Sequence, residues 1–172
     1  MISKVSATEF KFTTEWRISA PLSEVYDTIT QCHDWPIWWQ SVEKVEKLVP
    51  GEASGVGSVH RFTWRGRIPY SLTFDMRVTR LVPLALIEGQ ASGEMVGAGR
   101  WCFFYGDGVT TVHYEWHVHT NRPWMNLIAP LARPLFSWNH HQVMRQGAMG
   151  LAHLLNASLE SVHTERYCNR VR

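Results

Sequence analysis

The sequence predicts an α+β fold in which a curved antiparallel sheet wraps around a long C-terminal helix. Two observations predict this fold. From Val42 onward, apolar residues recur with a period of two between short turn signals, which is typical of antiparallel strands. After Ser137, apolar residues recur at helical spacing instead. The strands therefore have an apolar face, and the helix is the element that covers it.

The first forty residues predict one strand and two short helices. Thr8 to Ile18 mix aromatic and polar positions as a strand does, and Pro21 suits the first turn of a helix that continues to about residue 30. The segment Ile37 to Trp39 follows as a second short helical turn or an aromatic cap. The predicted order is thus strand, two short helices, about six strands and a long helix.

Two of the predicted strands alternate most clearly between apolar and polar residues. Their apolar sets are Tyr70, Leu72, Phe74, Met76 and Val78, and Val112, Tyr114, Trp116 and Val118. By the same parity, we expect six large side chains to face the interior: Phe74, Met76, Trp101, Phe103, Tyr114 and Trp116. The small residues Gly89 and Ala91 would leave room beside them.

The C-terminal region predicts helix from Pro123 to Val162, either as one long helix or as two that separate near Pro130 and Pro134. One face of it carries five residues at steps of three and four: His140, Met144, Gly147, Leu151 and Leu154. The small Gly147 is expected to leave a gap beneath the helix. We place the domain at residues 1–160 and a C-terminal tail at 161–172, loosely ordered from Thr164 onward.

Composition excludes several classes of protein. The net charge of +2 comes from scattered residues with no basic block, so no nucleic-acid partner is expected. The three cysteines lie far apart and match no disulfide framework or zinc site. The N-terminal residues hold no long apolar run, and no apolar stretch reaches the roughly 18 residues of a membrane span. We therefore expect a cytoplasmic protein without stable membrane insertion.

The nine tryptophans among 172 residues are a marked excess. Two interpretations stand: the rings line a pocket, or they fill the volume of an ordinary core.

A run of polar residues on a late strand resembles a metal site at first sight. His113, Glu115, His117 and His119 alternate, so they share one face of that strand. Alternate residues on a strand lie roughly 6.5 to 7 Å apart, which is too far for neighbouring imidazoles to share a metal on a straight strand. The opposite face carries the apolar set, so we expect the histidine face to be solvent-exposed and to bind no metal.

Several segments of the chain resemble one known family. They are Trp16 to Pro21 followed by Val25-Tyr26, the cluster Trp35-Pro36-Ile37-Trp38-Trp39, Gly55-Val56-Gly57-Ser58, Gly93-Glu94 with Gly97, Gly99 and Trp101, the strand that ends in Trp116 and Val118, and Trp138-Asn139-His140 with Val143-Met144. Over about residues 8–157 the chain resembles the START-like polyketide cyclase and lipid transport superfamily. The resemblance implies the helix-grip fold and a deep pocket between sheet and helix. It implies little about chemistry, because the family includes cyclases, carriers, receptors and co-chaperones.

The main functional prediction is that this pocket binds a small hydrophobic or aromatic molecule, without a cofactor. The ligand contacts that we expect are Trp38, Trp64, Phe74, Met76, Trp101, Phe103, Tyr114, Trp116, His140 and Met144. A polyketide cyclase or aromatase and a lipid or quinone carrier are the alternatives. A cyclase needs convergent polar groups deep in the pocket, whereas a carrier needs an apolar tunnel with an apolar rim. No acid/base pair, nucleophile motif or nucleotide-binding fingerprint is recognisable in the sequence, which favours binding.

Two features of the helix remain open to more than one interpretation. His140 is either a ligand contact or a structural residue, and catalysis is a third option. An unpaired imidazole on the packed face would be costly, so we expect it to hydrogen-bond to Tyr114, a water or a ligand carbonyl. Asn139 beside it either orients a carbonyl or fixes a loop. The apolar segment Trp124 to Phe136 is a lid, the subunit contact of a homodimer, a membrane-surface contact or a buried helix start.

Overall fold

The chain forms one antiparallel sheet and one long helix, with two short helices after the first strand. The computed structural model describes residues 9–166, apart from the side chains of residues 126, 128–130, 132 and 166. The elements are β1 (Glu9–Ile18), α1 (Leu22–Thr30), a 3₁₀ turn (Cys32–Asp34), α2 (Trp35–Trp38), β2 (Val42–Val49), β3 (Val59–Arg65), β4 (Ser71–Val82), β5 (Leu86–Gly93), β6 (Met95–Gly106), β7 (Val109–Thr120), α3 (Pro123–Leu154) and β8 (Leu159–Arg166).

The eight strands found among the described residues form a single sheet with the order β2-β3-β4-β5-β6-β7-β1-β8. Every neighbouring pair is antiparallel. Strand β1 lies between β7 and β8, and every second residue from Phe10 to Ile18 is buried. One face of the sheet packs with α3 around a shared core that includes Trp16, Trp116 and Leu151. The predicted α+β class and helix-grip arrangement are confirmed.

The predicted register of β4 and β7 is also confirmed. Phe74, Trp116 and Val118 are buried, whereas Glu115 and His117 on the other face of β7 are exposed. The period of two predicts this correctly because a strand with one buried face cannot shift by one residue without exposing its whole apolar set.

Helix α3 continues through Pro130 and Pro134 as one element, so the single-helix alternative holds. Its predicted inner face is right at Met144 and Leu151 but wrong at Leu154, which is 46% exposed. The buried positions drift with the 3.6-residue turn, so Leu155 takes the inward place at the end of the helix.

The predicted end of the helix is wrong, since α3 stops at Leu154 and the chain forms β8 instead of reaching Val162 as helix. Asn156 adopts a left-handed conformation with φ of 50°. Its N–H donates to the His153 carbonyl, and the Ala157 N–H donates to the Ala152 carbonyl. These two bonds form a Schellman cap, in which asparagine can replace glycine.

Strand β8 also corrects the predicted tail. Its residues pair with β1 from Phe12 to Ile18, so 161–166 belong to the sheet, including the part from Thr164 that was expected to be loosely ordered. Leu159 and Val162 pack against the core. The remaining tail residues, 167–172, lie outside the described residues.

Candidate ligand-binding site

A cavity of about 270 Å³ lies between the sheet and α3, and we call it the first cavity. The sheet contributes Phe10, Phe12, Trp64, Leu72, Phe74, Met95, Trp101, Tyr114, Trp116 and Thr120. The helix contributes Trp124, Met125, Leu135, Phe136, Asn139, His140, Val143 and Met144. Trp124 and Leu135 are partly exposed and mark its opening near the loop between β3 and β4. The lining is mostly aromatic and aliphatic, as in small-molecule sites.

His140 is a polar residue placed in this apolar lining. Its ring stacks on Phe12 with the ring centroids 4.0 Å apart and the planes inclined by 11°. Its Nδ1 is buried and has no hydrogen-bond partner among the described residues. Burial, and to a smaller extent the neighbouring His141, lowers the pKa of His140 to about 3. The imidazole is therefore neutral at pH 7, when it can either donate or accept a hydrogen bond.

Tyr114 lies at the inner end of the first cavity. Its ring stacks on Trp101 with a centroid separation of 4.0 Å. Burial raises the pKa of its hydroxyl, which makes no hydrogen bond with the described residues. The indole Nε1 of Trp64, which also lines the cavity, is buried and has no partner among the described residues. Unpaired buried donors of this kind are costly unless a ligand or water satisfies them.

Glu94, in the turn between β5 and β6, holds the rim of the cavity. Its carboxylate accepts hydrogen bonds from the Tyr70 hydroxyl (2.7 Å), the Thr73 N–H (2.6 Å) and Arg122 Nε (2.6 Å). Burial pushes the pKa of Glu94 up, but these hydrogen bonds outweigh it and lower the pKa below its usual value. Tyr70 in turn contacts Trp124 edge to face at 5.1 Å. One ionised carboxylate therefore positions both aromatic residues of the rim.

Asn139 fixes the loop beside the opening. Of the two predicted roles, fixing a loop is therefore supported over orienting a ligand carbonyl. Its Oδ1 accepts hydrogen bonds from the backbone N–H groups of Arg67 (2.7 Å) and Ile68 (3.3 Å). A Cβ at Gly66 would overlap this amide, which explains the glycine there. The loop is thereby tied to α3 directly next to His140.

The expected gap beneath Gly147 is filled, which corrects the prediction. A Cβ at Gly147 would overlap the ring of Trp39, and one at Gly150 would overlap the backbone carbonyl of Trp38. Trp39 Nε1 also donates a 2.8 Å hydrogen bond to the carbonyl of Val143. The two glycines let α2 pack tightly against α3, so the cavity opens N-terminal to this contact.

Seven of the ten expected ligand contacts line the first cavity: Trp64, Phe74, Trp101, Tyr114, Trp116, His140 and Met144. The other three lie elsewhere. Trp38 is buried against Trp35 and Trp39. Phe103 packs edge to face on Tyr26 of α1. Met76 lines a second cavity farther along β4.

Sequence reasoning missed several residues of the lining. Phe10 and Phe12 follow the alternation of β1, which gave a strand but did not show that the strand borders a pocket. Phe136 lies four residues before His140, so helical spacing could have found it. Trp39 was not distinguishable from Trp38, because a short helix does not reveal which of two adjacent rings faces inward.

The histidine face of β7 is directed to solvent, as predicted. His113 pairs with Glu15 at 2.8 Å, and His117 pairs with Glu9 across the same strand pair. These contacts explain the row of histidines as a complement to the acidic residues of β1. The absence of a metal remains a prediction.

The apolar segment at the start of α3 is divided between cavity and solvent. Trp124, Leu135 and Phe136 line the first cavity, whereas Leu127 and Leu131 are 82% and 90% exposed. A buried helix start therefore does not describe it. None of the helices among the described residues is long and apolar enough to span a membrane.

One protein family matches most of the chain. The model of the family described as "Polyketide cyclase / dehydrase and lipid transport" matches residues 9–155. No curated protein matches the sequence.

Solved structures share the fold at low sequence identity. The Zhui aromatase/cyclase from Streptomyces sp. R1128 has 17% identity and a TM-score of 0.68, with 86% of this chain and 94% of that chain covered. A START superfamily protein from Mycobacterium smegmatis has 12% identity and a TM-score of 0.69, with coverages of 86% and 97%.

The di-domain aromatase/cyclase BexL from the BE-7585A biosynthetic pathway has 22% identity and a TM-score of 0.69. The match covers 88% of this chain and 52% of BexL, so this chain spans about half of that protein. At these identities the structural neighbours show the fold alone.

Proposed function

The chain belongs to the polyketide cyclase/dehydrase and lipid transport family, and from that premise we propose that its first cavity binds a small, uncharged aromatic or hydrophobic molecule. The observation that carries the proposal is the lining itself, in which aromatic and aliphatic side chains surround one neutral imidazole. The volume of about 270 Å³ is roughly twice that of the 150 Å³ cavity that binds benzene. The expected ligand therefore has about two or three fused rings.

The polar atoms in the lining specify one feature of this ligand. His140 Nδ1 is buried and makes no hydrogen bond with the described residues, and the Tyr114 hydroxyl makes none with them either. A ligand that carries a hydroxyl or carbonyl group can bond to either of them. The cost of an unpaired buried group is about 1–3 kcal/mol, so satisfying it is a substantial part of the affinity of a small ligand.

Catalysis of a cyclisation is less well supported than binding. A general base works best when its pKa lies near the operating pH. The pKa of His140 is lowered to about 3 by burial, which makes it a weak base, and burial raises the pKa of Tyr114, which makes it a weak acid. Among the described residues, neither has a charged partner that reverses these shifts.

A carrier is the second candidate function, favoured by the exposed apolar residues beside the opening. Leu127, Leu131 and Trp138 are directed at least partly to solvent on the same helix whose inner side lines the cavity. A carrier needs such a rim to exchange its ligand with an apolar surface. Transfer of a bound probe to phospholipid vesicles at a rate that rises with vesicle concentration would distinguish a carrier from a protein that only binds.

The binding proposal is tested by filling the first cavity. N-phenyl-1-naphthylamine is an uncharged probe that fluoresces in apolar surroundings, and we expect the protein to bind it saturably. Leu72 lines the cavity, so Leu72→Trp should weaken binding by at least about tenfold, because an overfilled site must rearrange to admit the probe.

Thr79→Trp is the matched control, because Thr79 lies on the same strand and is exposed on the other face. It should bind the probe as the unmodified protein does. Equal affinity in a folded Leu72→Trp variant would contradict the proposal.

A further inference from the structure

A second cavity of about 450 Å³ follows the first along strands β3 and β4. Four aromatic residues line both cavities and form the partition between them: Trp64, Phe74, Trp101 and Tyr114. The second cavity has its own opening, at exposed residues Gln31, His33, Lys47 and Pro50. It thus has an entrance of its own, and the proposed function makes no use of it.

The two ends of the second cavity differ in polarity. Its interior includes the apolar side chains of Trp35, Phe62 and Met76. Its opening carries Lys47, His33 and His60, with the two imidazole rings in edge-to-face contact at 5.3 Å. This distribution matches an amphipathic molecule that enters with its apolar part first.

The charges near the opening favour an anion. Burial lowers the pKa of His60, and electrostatic interaction with the neighbouring His33 and Lys47 lowers it further. Burial raises the pKa of Cys32 to about 11, so its thiol is uncharged and does not repel an anion. Glu88 also lines the cavity, but its carboxylate is paired with Arg100 at 2.7 Å. The unneutralised charge at this opening is therefore positive.

We propose that the second cavity binds a small amphipathic carboxylic acid, with its carboxylate at Lys47 and His60 and its apolar body beside Trp35, Phe62 and Met76. Lys47 attracts the carboxylate as a charge, and the neutral His60 ring donates a hydrogen bond to it. The volume is roughly three times that of a benzene-binding cavity, which suits a body of medium length.

Decanoate and decan-1-ol form the test pair, because they share the alkyl chain and differ in the charged group. Binding is measured by isothermal titration at pH 7 on the full chain. Lys47→Met keeps an unbranched side chain that is one atom shorter and removes its charge. It should weaken decanoate about tenfold, as expected for loss of a hydrogen bond to a charged group, and leave decan-1-ol unchanged.

Lys44→Met is the matched control on the same strand, because Lys44 is exposed and pairs with Glu46 instead of lining the cavity. It should bind decanoate as the unmodified chain does. Equal losses in the two lysine variants would overturn the proposal by showing a general charge effect. Absence of decanoate binding to the unmodified chain would overturn it as well.

Filling variants separate this proposal from the proposed function of the first cavity. Met76→Trp should abolish decanoate binding and retain binding of N-phenyl-1-naphthylamine. Leu72→Trp should weaken binding of N-phenyl-1-naphthylamine and retain binding of decanoate. If Leu72→Trp removes decanoate and Met76→Trp does not, the acid lies in the first cavity and the second site is refuted. If Met76→Trp does not fold, the lysine pair still decides the outcome.

Discussion

The two halves of α3 differ in what they pack against. In the second half, Ala148, Leu151 and Ala152 are buried, and the first two have no exposed surface at all. In the first half, Leu127 and Leu131 are exposed, and the inner side borders a cavity instead of a filled core. One continuous helix thus has a tightly packed half and a half that leaves space beneath it.

The difference shows how a single helix can both stabilise a fold and cover a binding site. The second half is fixed by the contact of Gly147 with Trp39 and of Gly150 with Trp38. This contact allows the first half to leave its inner side unfilled, because packing elsewhere already determines the position of the helix. A cavity is normally destabilising, since its lining loses contacts on one side. The tight half offsets that loss.

The largest expected effect is on the tight half. Gly150→Ala should lower the free energy of unfolding by about 3 kcal/mol, because the new methyl group overlaps the Trp38 carbonyl, a backbone atom that cannot rotate away. Helix propensity alone would give the opposite sign, since alanine is favoured over glycine by up to about 1 kcal/mol. Urea unfolding measures the change.

Leu131→Ala is the comparison in the other half. At 90% exposure, this residue should contribute less than about 0.5 kcal/mol. If the two variants are equally stable, the two halves of α3 do not differ in how tightly they are packed.

The pH dependence of stability provides the next test, at the boundary between the halves. Burial lowers the pKa of His140 to about 3 in the folded chain, below the ordinary value of 6.5. Between pH 6.5 and pH 3 the unfolded chain therefore binds about one more proton than the folded chain. Proton uptake by the unfolded chain lowers the free energy of unfolding, and the decrease grows as the pH falls. His140→Leu should remove this component.

The difference between unmodified protein and His140→Leu is the quantity to measure, by urea unfolding between pH 7 and pH 4. His60 has a pKa shift of the same sign, and Glu94 has a lowered pKa that also costs stability in acid. Both contribute equally to the two proteins, so they cancel. Parallel pH profiles would show that the His140 ring is protonated as readily in the folded chain as in the unfolded one.

The smallest expected effect distinguishes two leucines of the first half. Leu135 lines the first cavity and Leu131 does not, although both are exposed at least in part. Leu135→Ser should weaken N-phenyl-1-naphthylamine about threefold through lost apolar contact, and Leu131→Ser should leave the affinity unchanged. Both variants should unfold at nearly the same urea concentration. An equal loss of affinity in both would place the probe on the outer surface of the helix.

The sequence predicts the sheet much better than it predicts what happens around α3. Alternation along β4 and β7 is a local property, so the inward positions of Phe74 and Trp116 follow directly from it. The placement of His140 on the inner side of the helix follows from local spacing in the same way. These predictions needed no knowledge of distant contacts.

The errors arise where two distant segments meet. Gly147 was interpreted as a gap because nothing in its own neighbourhood shows that Trp39 fills the space. The start of β8, as far as Val162, was taken for helix and the rest for a tail, because the pairing partner of this strand, β1, lies about 150 residues earlier in the chain. Asn156 was the available local signal, since asparagine in a left-handed conformation commonly ends a helix.

The most direct test of the account is a crystal structure of the protein with bound N-phenyl-1-naphthylamine. We expect the naphthalene ring in the first cavity, between Leu72 of β4 and Val143 of α3 and in contact with the His140 ring, with Trp39 and Gly147 unmoved. A probe bound between Trp39 and Gly147, or on exposed Leu127 and Leu131, would contradict it, because the tight half would then be the part of the helix that opens.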